Sequence, residues 1–186
     1  IKECDWSSDV CSSDLADVQV ADLDRGYYAS HTLTLAQHPS ETDERVMVRL
    51  LAFGLLANDS LVFGKGISDE DEPCLWRKDL TGNIDLWVEV GQPEPKRLRK
   101  ACGRAKQVVV YAYGRAAEVW WQGAKSDLER NRNLSIYQLP IEETAQLARL
   151  TQKKLSLQFT VQDGDLLVTN ENTSLVVRPV TLMAAQ

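Results

Sequence analysis

The chain has 186 residues and a formal net charge of −6 at pH 7, and 44% of its residues are hydrophobic. This length fits one well-buried core and is short for two. No apolar run approaches the roughly 20 residues that a membrane-spanning helix needs, so the composition excludes such a helix and predicts a soluble globular protein.

The first fifteen residues have neither a helical nor a strand period and lack the apolar centre of a signal peptide. They are typical of a translated sequencing adapter, and we expect residues 1–15 to be a non-native, disordered tail and residues 16–186 to be a single domain. The tail sets Lys2 against four carboxylates, a net charge of −3, which leaves −3 for residues 16–186.

The tail also contains Cys4 and Cys11, so that only Cys74 and Cys102 remain in the predicted domain. Two cysteines without a CxxC motif or a secretion signal favour a reducing cytoplasm. We expect both to serve as small buried apolar residues.

Two alternating segments, 16–22 and 31–36, predict a pair of strands at the start of the domain. A helix is then expected from Ser40, its predicted N-cap, to about Ala57. Glu44 falls within the apolar stripe of this helix, whereas Arg45 and Arg49 lie on the opposite side. A carboxylate on a buried side needs a partner. Glu44 therefore belongs to a functional site, forms a structural pair, or reaches solvent from the first turn of the helix.

The middle of the chain predicts a hairpin followed by a crossover. Strands 74–79 and 84–90 are joined by a turn at Gly82, and a basic helix begins near Glu94. The apolar run 107–113 is typical of a central strand covered on both faces. Strand, helix and strand in this order favour a parallel pair.

The remaining segments predict a short helix at 116–122, a strand at 134–139 and a helix at 140–150. Alternation over 155–161 and 166–169, with a turn at Asp163-Gly164, predicts a hairpin, and 175–182 is a further strand near a sheet edge because it contains Pro179. We expect these last strands to form a second antiparallel sheet, pairing with the N-terminal strands.

The strand 84–90 and the basic helix contain the candidate site. Asp85 and Glu89 share one face of the strand, but four residues span about 13 Å, too far for the two to chelate one ion. Each needs a partner, either Asp79 across the Gly82 turn or Glu44 from the first helix.

The basic helix supplies the opposite charge. Arg97 and Arg104 flank its apolar face and are best placed to reach a buried carboxylate. Lys96, Arg99 and Lys100 lie further round, where they could contact phosphates or simply form a solvated face.

Several segments together resemble the YaeQ family of bacterial proteins, over essentially the whole chain from Ala16. They are His38-Pro39-Ser40-Glu41-Thr42-Asp43-Glu44-Arg45, Asp71-Glu72-Pro73, Ile84-Asp85-Leu86-Trp87-Val88-Glu89-Val90-Gly91, Arg97 with Lys100-Ala101, and Trp120-Trp121. The resemblance implies a variant of the PD-(D/E)XK, restriction-endonuclease-like fold. This is an α/β (mixed α+β) fold with a mixed central sheet flanked by helices, here with an added antiparallel β layer from the N- and C-terminal strands.

Applied to this chain, the nuclease pattern makes Glu44 the helix acid, Asp79 or Asp85 the first strand acid and Glu89 the second. It implies a Mg²⁺ or Mn²⁺ ion held by Asp79, Asp85 and Glu89. The lysine expected two residues after Glu89 is Gly91, and Arg97 or Lys100 are candidates for its catalytic role.

Two functions remain open from the sequence. The first is a cytoplasmic, metal-dependent phosphodiesterase acting on nucleic acid. The second is a non-enzymatic interaction or regulatory module that keeps the fold without the chemistry.

Overall fold

The computed structural model describes residues 12–64 and 71–186, which form eleven strands and four helices. The strands are β1 (Ser12–Asp22), β2 (Tyr27–Gln37), β3 (Leu61–Phe63), β4 (Leu75–Lys78), β5 (Ile84–Val90), β6 (Ala105–Ala112), β7 (Leu134–Gln138), β8 (Lys154–Gln162), β9 (Asp165–Thr169), β10 (Ser174–Val177) and β11 (Val180–Met183). The helices are α1 (Asp43–Leu56), α2 (Pro95–Arg104), α3 (Ala117–Leu128) and α4 (Ile141–Ala148).

The strands form two mixed sheets. One has the order β10-β9-β8-β1-β2 and the other the order β11-β7-β6-β5-β4-β3. In the second sheet β5, β6 and β7 are parallel, which confirms the predicted crossover through the basic helix. The first sheet joins N- and C-terminal strands as expected, but it is not purely antiparallel, because β1 runs parallel to β8.

Helix α1 lies in a core formed with residues of both sheets and is buried around most of its circumference. At Gly54 an added Cβ would overlap the ring of Phe159, so only glycine allows the helix to approach β8 this closely. The other face of the six-stranded sheet is covered by α2 and α3, where Trp87 packs with Leu98, Trp121 and Leu128. The apolar run in β6 is therefore covered on both faces, as its sequence predicts.

Several boundaries differ from the prediction. Helix α3 ends at Leu128 rather than at 122, and strand β2 begins at Tyr27 rather than at 31. The N-cap of α1 is Thr42, whose hydroxyl accepts from Arg45 N at 3.2 Å, rather than Ser40. The predicted strand 175–182 is two strands in different sheets, because the chain leaves the first sheet at Arg178-Pro179. Strand β1 begins at Ser12, inside the segment assigned to the tail, and residues 12–15 lie opposite residues 34–37 of β2. Residues 1–11 lie outside the described residues, and the non-native origin of the tail stays a prediction.

Across the described ranges, the helices are too short or too polar to cross a membrane.

Candidate functional site

Glu89 lies on β5 beneath helix α2 and has only 4% of its side chain exposed. Its Oε1 accepts from Arg97 Nε at 2.8 Å and from the indole Nε1 of Trp87 at 2.9 Å. Trp87 shares its face of the strand because side chains two residues apart point the same way. The predicted reach to a buried carboxylate is confirmed for Arg97 but not for Arg104, whose carboxylate partner among the described residues, Asp71, is exposed. The charge of Glu89 is therefore balanced within the protein.

The second oxygen of Glu89 connects this pair to helix α1 through a thiol. Cys74, just before β4, donates from Sγ to Glu89 Oε2 at 3.7 Å and accepts from Arg45 Nη2 at 3.4 Å. Burial raises the pKa of the Cys74 thiol to about 11, and the nearby Glu89 carboxylate adds to the shift. The thiol therefore stays protonated at neutral pH and acts as a neutral bridge, not as a nucleophile.

Arg45 and Arg49 converge on Glu41, a carboxylate that the sequence analysis did not select. Glu41 Oε1 lies 3.1 Å from Arg49 Nε and 3.5 Å from Arg45 Nε, and the side chains of Glu41 and Arg49 are 1% and 2% exposed. These three atoms form close ion pairs but no aligned hydrogen bond. Arg49 Nη2 donates to Ala36 O of β2 at 2.8 Å, which joins the cluster to the first sheet.

The backbone at Gly91 accounts for the absence of the lysine that the nuclease pattern expects two residues after Glu89. It has φ +94°, and a Cβ at this position would lie 3.1 Å from Arg45 Nη1, which donates to Val90 O at 3.0 Å. A side chain here would be both strained and close to a guanidinium. Arg45 thus brings a cation to the end of β5 from a different element.

Asp79 and Asp85 come near each other, but at the opposite end of β5 from Glu89. Lys106 Nζ lies 2.7 Å from Asp85 and 3.7 Å from Asp79. Hydrogen bonds from Thr81 and Asn83 hold the pKa of Asp79 well below its usual range, because they stabilise the ionised carboxylate of this turn. The proximity expected across the hairpin is present, with a lysine between the two acids.

Glu44 and Lys100 lie apart from these pairs. Glu44 is half-buried and forms no ion pair within the described part of the chain. Burial raises the pKa of Tyr113, and the charge of Glu44 adds to that effect. Lys100 pairs with Asp71 at the exposed side of α2, where Arg104 also approaches Asp71 at 3.5 Å.

These positions do not fit the divalent ion that the nuclease pattern implies. Glu89 is paired with Arg97, while Asp79 and Asp85 face Lys106. Within residues 12–64 and 71–186, no three acidic, histidine or cysteine side chains are grouped so as to hold a metal ion. The metal role of Asp79, Asp85 and Glu89, and the catalytic roles of Glu44, Arg97 and Lys100, stay predictions.

Comparison with known proteins gives one consistent family. The family model described as YaeQ protein matches residues 12–179. Proteins described as uncharacterized protein YaeQ are 43% identical in Salmonella typhi, over 87% of this chain and 90% of the relative, and 41% identical in Escherichia coli K12, with the same coverage.

Two crystal structures of YaeQ proteins share the fold. The protein from Xanthomonas axonopodis pv. citri has a TM-score of 0.90 and 46% identity, covering 94% of this chain and 99% of that one. The protein from Pseudomonas syringae also has a TM-score of 0.90, at 34% identity, covering 94% and 97%.

Proposed function

This chain belongs to the YaeQ family, and from that premise we propose that it is a metal-independent binding protein for nucleic acid, not a phosphodiesterase. The observation that carries the proposal is the pairing of Glu89 with Arg97 at 2.8 Å. The carboxylate that would be central to a metal site already holds a cation from the protein itself.

A metal ion at Glu89 would have to compete with this guanidinium. Glu89 is almost fully buried, and Arg97 also donates to Glu72 O at 2.8 Å, so moving Arg97 would break contacts on two segments. Removing one partner of a buried ion pair typically costs 3–5 kcal/mol. A second carboxylate would also be needed, and Asp79 and Asp85 lie at the other end of the strand.

Helix α2 supports binding of a polyanion. Its ten residues include five basic and no acidic side chains, and Lys96, Arg99 and Lys100 lie on its solvent side. Among the described residues, Arg99 pairs with Asp127 and Lys100 with Asp71, carboxylates that are 58% and 66% exposed. Such surface pairs contribute about 0–1 kcal/mol, so phosphates can replace them at little cost.

The nuclease-like origin of the fold is part of this proposal. It is supported by a mixed sheet with a parallel β5-β6-β7 core, helices on both faces, and an acidic residue near the end of β5. Gly91 stands where the nuclease pattern expects a lysine, and Glu89 is paired with Arg97. On this proposal the fold keeps positive charges that bind phosphates but lacks the groups needed for hydrolysis.

Fluorescence anisotropy with labelled single- and double-stranded DNA and RNA tests the binding. We expect the same affinity in EDTA and in Mg²⁺, with a Kd that rises steeply with salt. The triple variant Lys96→Ala/Arg99→Ala/Lys100→Ala should bind at least tenfold more weakly. The matched control Arg149→Ala/Lys153→Ala/Lys154→Ala removes the same charges from another exposed region and should bind like the wild type. Equal losses in both variants, or no binding at low salt, would reject nucleic acid as the partner.

A separate measurement tests the absence of metal chemistry. Isothermal titration of MgCl₂ or MnCl₂ into the wild type should give no binding heat above dilution. Metal binding that disappears in Glu89→Gln, together with cleavage of the labelled strands, would instead establish the phosphodiesterase.

A further inference from the structure

Strand β2 forms one edge of the five-stranded sheet and is eleven residues long. It pairs with β1 at all eleven positions without a register shift. The opposite side of the strand pairs with no other strand in the described part of the chain. Alternate residues of an edge strand direct their N–H and C=O groups outward, which gives roughly ten backbone groups on this edge. One β2 carbonyl, Ala36 O, already accepts from Arg49.

The other three edges of the two sheets are protected in ways that β2 is not. Strand β3 has three residues and β10 has four. Strand β11 also has four residues, follows Pro179 and contains a register shift. Short strands, prolines and bulges are devices that prevent edge-to-edge pairing, and β2 contains no proline, lysine or bulge.

We propose that β2 pairs antiparallel with β2 of a second copy of this chain, giving a two-fold symmetric dimer with a continuous ten-stranded sheet. An antiparallel strand pair is the arrangement that a two-fold axis generates when the same edge meets itself. A pairing centred on Thr32 places Ser30 opposite Thr34 and Tyr28 opposite Ala36.

The side chains of β2 suit this self-pairing. Its outward-facing side chains are all uncharged: Tyr28, Ser30, Thr32, Thr34 and Ala36. No like charges therefore oppose each other across the axis, and Thr–Thr and Thr–Ser neighbours are favourable cross-strand pairs. Tyr28, which is 64% exposed in the single chain, would gain a neighbour.

Light scattering coupled to size exclusion tests the dimer over a range of concentrations. The wild type should have twice the mass of the chain. The variant Ser30→Lys/Thr34→Lys should be a monomer, because each added lysine faces one from the other copy. The matched variant Ser156→Lys/Gln158→Lys adds the same charges to exposed positions on the same sheet face, but on the interior strand β8, and should stay a dimer.

Hydrogen exchange adds a measurement that does not depend on mass. Amides of β2 should exchange at least tenfold faster in Ser30→Lys/Thr34→Lys than in the wild type, while those of β8 stay equally protected and the circular dichroism is unchanged. A monomeric wild type overturns the proposal, as does loss of the dimer in the β8 variant, or its persistence in the β2 variant.

Discussion

Arg97 Nε lies 2.8 Å from Glu89 Oε1, and this contact joins helix α2 to the strand beneath it. Trp87 donates to the same oxygen, so a single atom accepts from one buried and one partly buried donor. The pair is therefore structural as well as electrostatic, and its removal should affect stability before it affects any activity.

Replacing Glu89 by alanine should destabilise the protein by about 2–4 kcal/mol, because Arg97 and the indole N–H of Trp87 lose their acceptor while partly or fully buried. Urea unfolding followed by circular dichroism measures this. Glu89→Gln keeps an acceptor oxygen for Trp87 and should cost clearly less. Equal losses for alanine and glutamine would mean that the charge alone matters.

Replacing Glu41 by alanine should cost about 3–5 kcal/mol, because it leaves the guanidinium of Arg49, which is 2% exposed, without its carboxylate. The double variant Glu41→Leu/Arg49→Met should recover most of this loss, since both charges are then absent from the core. Unfolding free energies of Glu41→Leu, Arg49→Met and the double variant provide the test. Additive losses would show that the ion pair is not the source of the effect.

Alanine substitutions at Gly91 and Gly103 should change stability in opposite directions, because the two glycines differ in backbone conformation and surroundings. Gly91→Ala should destabilise by about 1–2 kcal/mol, because φ is +94° and the new Cβ meets Arg45 Nη1. Gly103→Ala, inside α2 with no atom near the new Cβ, should stabilise by about 0.5–1 kcal/mol. Thermal unfolding of both variants checks the signs. A neutral Gly91→Ala would contradict the account given for the absent lysine.

The Cys74 thiol should make stability depend on alkaline pH. Its pKa is raised from 9.0 to about 11, chiefly by burial, so the folded state holds a proton that the unfolded chain releases earlier. This contribution is fully present below about pH 9 and is lost as the pH rises towards 11. Urea unfolding between pH 8 and 10 in reducing buffer should show a decline that is shallower in Cys74→Ala. Cys102, whose pKa burial also raises to about 11, contributes to the slope that remains. Identical slopes in the wild type and Cys74→Ala would exclude the thiol as a cause.

Local sequence patterns predict most of the helices and strands, because most of these segments show a clear hydrophobic periodicity or are bounded by clear turn residues. The hairpin β4-β5, the crossover to β6 and the return of the C-terminal strands to the N-terminal ones follow from alternation, turn residues and apolar runs. The family was also identified correctly from its combined motifs.

The candidate site was harder to predict because its contacts depend on which sheets pack against which helix. The hydrophobic periodicity of a single segment does not show this. A helical wheel assumes one covered face, and on that basis Arg49 lay opposite the apolar stripe. Both sheets cover α1, so Arg49 is buried and requires Glu41. The signal available in the sequence was the spacing of Glu41, Arg45 and Arg49. The two arginines are one helical turn apart on α1, and the acid lies just before the N-cap, four residues ahead of Arg45.

Strand β1 lies between β2 and β8, and the two turns at that end of the sheet are joined by a hydrogen bond from Asp163 N to Asp24 Oδ1, which spans 139 residues. At a synthesis rate of about 5–20 residues per second, the ribosome needs roughly 7–28 s to supply the second partner of β1. Once β2 has been made, the nascent β1-β2 hairpin has both of its edges open for the rest of that interval. The first sheet therefore cannot be completed until β8 to β10, in the last third of the chain, have been synthesised. Until then the N-terminal hairpin is the segment to which chaperones can bind for the longest time.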